Sequence, residues 1–167
     1  GIAAFVLKYR LPSDKIMKDK SIGPLQDAQQ AIKTVRLRAK EWNIDPAKIG
    51  IAGFSAGGHL ASTAGTHFQT ALIDNPENVS VRPDFMILLY PVISFQDDIG
   101  HKGSRTNLLG ATPSKELIDR FSNELQVTRE TPPAFIVHAG DDKSVVVENS
   151  LRFYEVLNKQ GIFSELF

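Results

Sequence analysis

Gly53-Phe54-Ser55-Ala56-Gly57-Gly58-His59 is the stretch that decides the fold. It follows a short apolar run, Ile49-Gly50-Ile51-Ala52, and leads into a helix-like stretch. Strand, Gly-x-Ser-x-Gly, helix is the pattern of a nucleophile elbow. A serine on such a turn projects its hydroxyl from the top of a sheet. The turn crowds the backbone, so side chains at Gly53 and Gly57 are expected to collide. The amide of the next residue, Ala56, is then expected to face the point where a carbonyl oxygen gains charge.

The rest of the chain reads outward from that turn. Ile2 to Leu7 is a continuous apolar run, as in a strand covered on both faces. Pro24 suits a first helical turn. After it, Leu25, Ala28, Ile32, Val35, Ala39 and Trp42 recur at steps of three and four. That is one amphipathic stripe, with Gln26, Gln29, Lys33, Arg36 and Lys40 turned elsewhere. Asp45-Pro46 suits an N-cap and a short turn before a strand at Lys48 to Phe54. The helix after Ser55 is expected to reach His67 or Thr70, with Leu60, Ala61, Ala64 and Phe68 inside. Phe85 to Tyr90, Ala134 to Val137 and Ile162 to Phe167 read as further strands. Val146 to Gln160 reads as a helix ended by Gly161. Strands alternating with helices imply α/β architecture: a mostly parallel sheet with helices on both faces.

Residues 92–132 break that alternation. They are polar and carry glycine, with one short helix expected after Thr112-Pro113. Two explanations stay open, a lid or substrate-binding insert and a plain surface connection. Residues 1–167 otherwise read as one domain. The chain opens in one apolar strand and stops as another begins, which suggests an internal piece of a longer protein.

Bulk composition excludes several classes. Lys+Arg and Asp+Glu are both 19, so no net charge argues for nucleic acid or an anionic membrane surface. No apolar run approaches the roughly 18 residues of a membrane-spanning helix. With no cysteine, there is no disulfide, thiol nucleophile or cysteine metal site.

A serine nucleophile needs an acid to orient its histidine. Sites in open α/β sheets gather at the carboxyl ends of strands. Asp141 and Asp142 follow the strand ending at Val137. One is expected to be catalytic and the other to cap the next helix. Four histidines are present, His59, His67, His101 and His138. His59 would lie one turn beneath the serine, bracing the elbow, and His67 near the helix end. His138 reads as structural, and His101 would be the one able to sweep over a pocket. The four are too scattered for a zinc site. Tyr90, at a strand's carboxyl end beside Pro91, is either a pocket wall or a core residue.

The chain resembles the α/β-hydrolase superfamily, and within it the bacterial esterase and lipase-like group that includes acetyl xylan esterases. The residues that carry this are Gly1 to Pro12, Asp45 to Ala61, Tyr90 to Ser94, and Pro132 to Ser150. The group's pattern His-Gly-x-x-Asp-x-x-Val-Pro, laid on this sequence, puts the acid at Asp142, with Ala139 in place of glycine and Val146 in place of proline. The resemblance implies a serine carboxylester hydrolase with Ser55 as nucleophile, acting on acetyl esters of carbohydrate without cofactor or metal. It also implies a base histidine beyond Phe167 and a glycine-rich oxyanion loop before Gly1. The strand that belongs between Ile2–Leu7 and Lys48–Phe54 would lie upstream, so those two are expected not to pair. A prolyl-oligopeptidase-type peptidase and a non-catalytic binding relative remain alternatives, and the compartment stays open.

Overall fold

A computed structural model describes all 167 residues. Four strands, β1 (Ile51–Phe54), β2 (Met86–Leu89), β3 (Ala134–Val137) and β4 (Ser164–Leu166), form one parallel sheet in the order β1-β2-β3-β4. The register aligns Phe54 with Leu89 and Leu89 with Val137, so the carboxyl ends of the first three strands finish level. The helices are α1 (Gly23–Leu37), α2 (Ser55–Thr66), α3 (Lys102–Leu109), α4 (Lys115–Arg120) and α5 (Glu148–Lys159).

Strand pleating sorts the sheet's side chains by face. Met86, Leu88, Ala134 and Ile136 point to one face and are buried under Ala61 of α2 and Phe153 and Leu157 of α5. Ala28 and Ile32 of α1 then pack on Leu60 and Ala64 of α2. The alternate positions Phe54 and Phe135 face the other way and stay 54% and 40% exposed. The sheet is parallel, as expected. Helices α2 and α5 cover the face that carries Met86, Leu88, Ala134 and Ile136.

The strand expected at Ile2–Leu7 does not form. Residues 1–12 run without regular structure, and Ile2 and Val6 are fully exposed. An apolar run becomes a strand only where a neighbour accepts its ladder, and none does here. As expected, residues 2–9 make no ladder with residues 48–54. Phe5 rests on Trp42, with ring centroids 4.8 Å apart. The Arg10 guanidinium grips Asp27 of α1 at 2.7 Å, and the Arg10 amide donates to the same carboxylate at 2.7 Å. Those bonds hold the Asp27 carboxyl below the usual carboxylate range.

Two polar residues assigned to the outer side of α1 are in fact buried. Gln29 donates to the carbonyls of His67 and Thr70 and accepts from the Leu72 amide at 2.7 Å. The Lys33 ammonium reaches the Asp74 carbonyl at 2.9 Å and Glu77 at 2.6 Å. Both stitch the loop after α2 to α1, satisfying carbonyls that burial would otherwise strand. The helix also stops at Leu37, so Ala39 and Trp42 lie in the turns beyond it.

The stretch from residue 92 holds two helices, α3 and α4, where one was expected. Val92, Phe95, Leu108, Phe121 and Val145 bury one another in a separate cluster. The Asn123 side chain, fully buried, donates to Ser62 Oγ at 2.7 Å and Thr63 Oγ1 at 3.0 Å, fastening this stretch to α2.

Candidate active site

Ser55 is the first residue of α2 and has φ 51°, in the left-handed region that L-residues avoid. The turn that produces this needs glycine at two places. A Cβ on Gly53 would sit 2.1 Å from the Gly57 carbonyl oxygen, and one on Gly58 would sit 2.6 Å from Pro91 Cβ. Gly57 is different from what the motif suggested. Its nearest neighbour would be Tyr9 Oη at 3.9 Å, so a side chain there meets no obstacle. The tight approach is made by the carbonyl of residue 57, and the packing against the β2 loop by residue 58. Ser55 itself is half-buried. Its carbonyl accepts from the Val92 amide at 3.1 Å, which ties the elbow to the loop after β2. The Ala56 amide opens the first turn of α2, where amides have no helical partner four residues back and the helix dipole is positive.

The loop that carries Asp141 and Asp142 leaves β3 at His138. Asp142 Oδ1 accepts from the amides of Ser144 and Val145 at 2.8 and 3.0 Å. Those two bonds hold the carboxyl below its ordinary value, so it is charged at neutral pH. Oδ2 makes no hydrogen bond and lies 3.6 Å from His138 Nε2. One oxygen thus fixes the carboxylate and the other remains available. Asp141 is exposed. Neither aspartate caps α5, contrary to expectation. The cap position is Val147, without a side-chain bond, because residues 143–146 separate the aspartates from the helix.

Three of the four histidines spend their Nε2 proton on a backbone carbonyl. His59 Nε2 donates to Phe121 at 2.8 Å, His67 Nε2 to Arg120 at 2.9 Å, and His138 Nε2 to Val145 at 2.8 Å. A carbonyl can only accept, so each ring has its tautomer fixed. His59 is buried and stacked on Phe95 at 4.2 Å, and burial pushes its pKa down to about 4. It braces the elbow, as its spacing suggested. His138 Nδ1 accepts from Ser150 Oγ at 2.7 Å. His101 caps α3, its Nδ1 accepting from the Ser104 amide at 3.1 Å. None of the four is hydrogen-bonded to Ser55.

A cavity of about 340 Å³ opens beside Ala56 along the flank of α2. Tyr9, His59, Leu60, Phe95 and Leu108 are among its walls. Tyr90 is not among them. It stands on the sheet's rim with φ 35°, 43% exposed, its ring 6.1 Å from that of Phe54. No group of three or more His, Asp or Glu residues is placed to hold a metal ion.

A parallel sheet with a strained serine on the strand-to-helix turn, and a loop with two aspartates two strands away, fits the α/β-hydrolase class. Within that class the chain belongs to the BD-FAE family, whose model matches residues 1–157. It is 42% identical, over its whole length, to an acetylxylan esterase from Xylanibacter ruminicola. It is 40% identical, over 97% of its length, to endo-1,4-beta-xylanase B from Butyrivibrio fibrisolvens. Among solved structures it resembles the acetyl ester-xyloside bifunctional hydrolase from Caldicellulosiruptor lactoaceticus, with 46% identity, a TM-score of 0.85 and 95% of the chain covered. The chain spans 33% and 26% of the two curated relatives and 57% of the solved one.

Two buried asparagines hold these parts in place. Asn123 and Asn149 are wholly buried, with every amide hydrogen bond made inside the fold. Their signal in the sequence is faint, since a lone Asn in a polar stretch reads as surface.

Proposed function

We propose that this chain carries the nucleophile and the acid of a serine carboxylester hydrolase acting on short-chain, chiefly acetyl, esters of carbohydrate. Ser55 Oγ gives its proton to a histidine and bonds to the ester carbonyl carbon. The carbonyl oxygen takes the negative charge, and the Ala56 amide donates to it. One such donor contributes about 3–4 kcal/mol to the transition state. The C–O bond to the alcohol breaks as the histidine returns the proton to the leaving oxygen. Water then releases acetate from the acyl-enzyme by the same route in reverse. Asp142 orients the histidine through Oδ2 and stabilises its charged form.

The observation that supports this most is Ser55 itself, half-exposed and strained at the carboxyl end of β1. None of the four histidines of these residues is hydrogen-bonded to Ser55, and three have Nε2 committed to a backbone carbonyl, so in this reading the complete protein supplies the base from another segment. The acetyl group and the carbohydrate rest on the names of the relatives. Tyr90, on the rim beside this site, is the residue we would assign to the substrate's path.

The test is hydrolysis of p-nitrophenyl acetate and of acetylated xylan by the complete protein. Ser55→Ala should lower kcat by about a thousandfold or more. Asp142→Asn should cost on the order of 10³- to 10⁴-fold, with Asp141→Asn near wild type. Undiminished turnover by Ser55→Ala would end this reading. Equal losses at the two aspartates would reassign the acid.

A further inference from the structure

Asn149 lies in the first turn of α5, wholly buried, and hydrogen-bonds to neither Ser55 nor Asp142. Its side chain nonetheless has every hydrogen bond filled, and the partners come from both halves of the site. Oδ1 accepts from the amides of Ile93 and Ser94 at 2.9 and 3.0 Å. Nδ2 donates to the carbonyls of Ile99 and Val146 at 2.9 and 3.1 Å. The first pair belongs to the loop after β2, whose Val92 amide holds the Ser55 carbonyl at 3.1 Å. The Val146 carbonyl ends the loop whose Ser144 and Val145 amides hold Asp142 Oδ1.

We infer that Asn149 is a positioning residue that locks the elbow and the acid loop to one another. The inference rests on the reading of Ser55 and Asp142 given above. The two groups stand on loops after different strands, and loops alone hold geometry poorly. A single amide spans the gap. Its acceptor arm fixes the loop under Ser55, and its donor arm fixes the end of the acid loop. Val92 and Val145 also pack together across that span, but no other side chain hydrogen-bonds to both loops. The alternative, that Asn149 only satisfies buried carbonyls and amides, makes a different forecast for the chemistry of correctly folded molecules.

The experiment follows covalent capture of Ser55 by a fluorophosphonate in the complete protein, reading rate and final extent separately. The extent counts folded sites, and the rate reports how well the serine is poised. Asn149→Ala should reach an extent set by its folded fraction, at a rate about tenfold below wild type, in line with the cost of small displacements in a site. Its kcat for p-nitrophenyl acetate should fall in proportion, with KM within about twofold. Asn149→Asp keeps the acceptor arm and loses the donor arm, so its rate should fall between the two. A wild-type rate over the folded fraction of Asn149→Ala would overturn the inference. Should Asn149→Ala not fold, Asn149→Asp decides alone: a slower rate at full extent supports the lock, and an unchanged rate overturns it. A wild-type protein that resists the probe, or labelling that survives Ser55→Ala, would remove the nucleophile reading and this inference with it.

Discussion

His59 shows how one buried ring is both support and liability. Its Nε2 proton goes to the Phe121 carbonyl and its face to Phe95, so it joins the elbow helix to the stretch after β2. Burial, more than any neighbour, lowers its pKa to about 4. An unfolded chain takes up that proton near 6.5, whereas the folded one refuses it until about 4. Stability from this residue is therefore complete above about pH 6.5 and is lost as the pH falls toward 4. The gap corresponds to about 3 kcal/mol. His67 shifts in the same direction, also by burial, and adds to the slope. Denaturant unfolding at pH 7 and pH 4 should show the wild type losing more stability than His59→Gln by roughly 2–3 kcal/mol. An identical loss in both would mean that the ring is hydrated in solution.

At the level of elements, the excursion after β2 is the part to probe. Phe95, Leu108 and Phe121 form a cluster of their own with Val92 and Val145, and Asn123 bolts it to α2. A segment packed this way should resist hydrogen exchange about as well as β2, because opening it means breaking a core. Phe121→Ala should cost about 3–5 kcal/mol and should raise exchange across α3 and α4 together. Fast exchange there in the wild type, with little effect of the substitution, would describe a loose flap instead.

These same elements mark where the sequence was readable. The strands at Met86 and Ala134 were legible because buried parallel strands are dense apolar runs, and those at Ile51 and Ser164 because apolar residues flank them. Helices α1 and α5 and the turn at Ser55 were legible because apolar spacing, Pro24 and Gly161 are local signals. Helix α3 was not. Its apolar residues are few, and it forms because Leu108 finds Phe95 and Phe121, which no window of sequence reveals. The buried faces of Gln29 and Lys33 were hidden for the same reason: their partners lie about forty residues on. The Ile2–Leu7 run misled because apolarity gives only a propensity to extend, and pairing needs a neighbour. The strained turn at Ser55 and the loop of Asp141 and Asp142 after β3 were legible from their spacing. The steric need for Gly58 and the bridging by Asn149 were not, since both depend on contacts with the loop after β2.

For the whole molecule, the uneven sheet is the dominant property. One face is sealed by α2 and α5. The other presents Phe54, Phe135 and Phe167, the last two with rings 5.3 Å apart. Phe167 is 68% exposed. A contiguous apolar surface of that kind drives association in water. The 167 residues alone should bind an apolar dye such as anilinonaphthalene sulfonate and should self-associate in sedimentation as concentration rises. Phe135→Lys should reduce both. A monomer that ignores the dye would show that the face is closed in solution.

The strand order carries one more consequence. Hydroxyl and carboxylate hang from β1 and β3, with a single strand between. Their supports are thus two lattice steps apart, about 10 Å at the usual strand spacing. That gauge is set by main-chain bonding, which side-chain changes cannot stretch. Variation in loop sequence can turn or tilt the two groups but leaves their footings where they are. An imidazole entering between them would meet a berth whose width was fixed before any residue of the site was chosen.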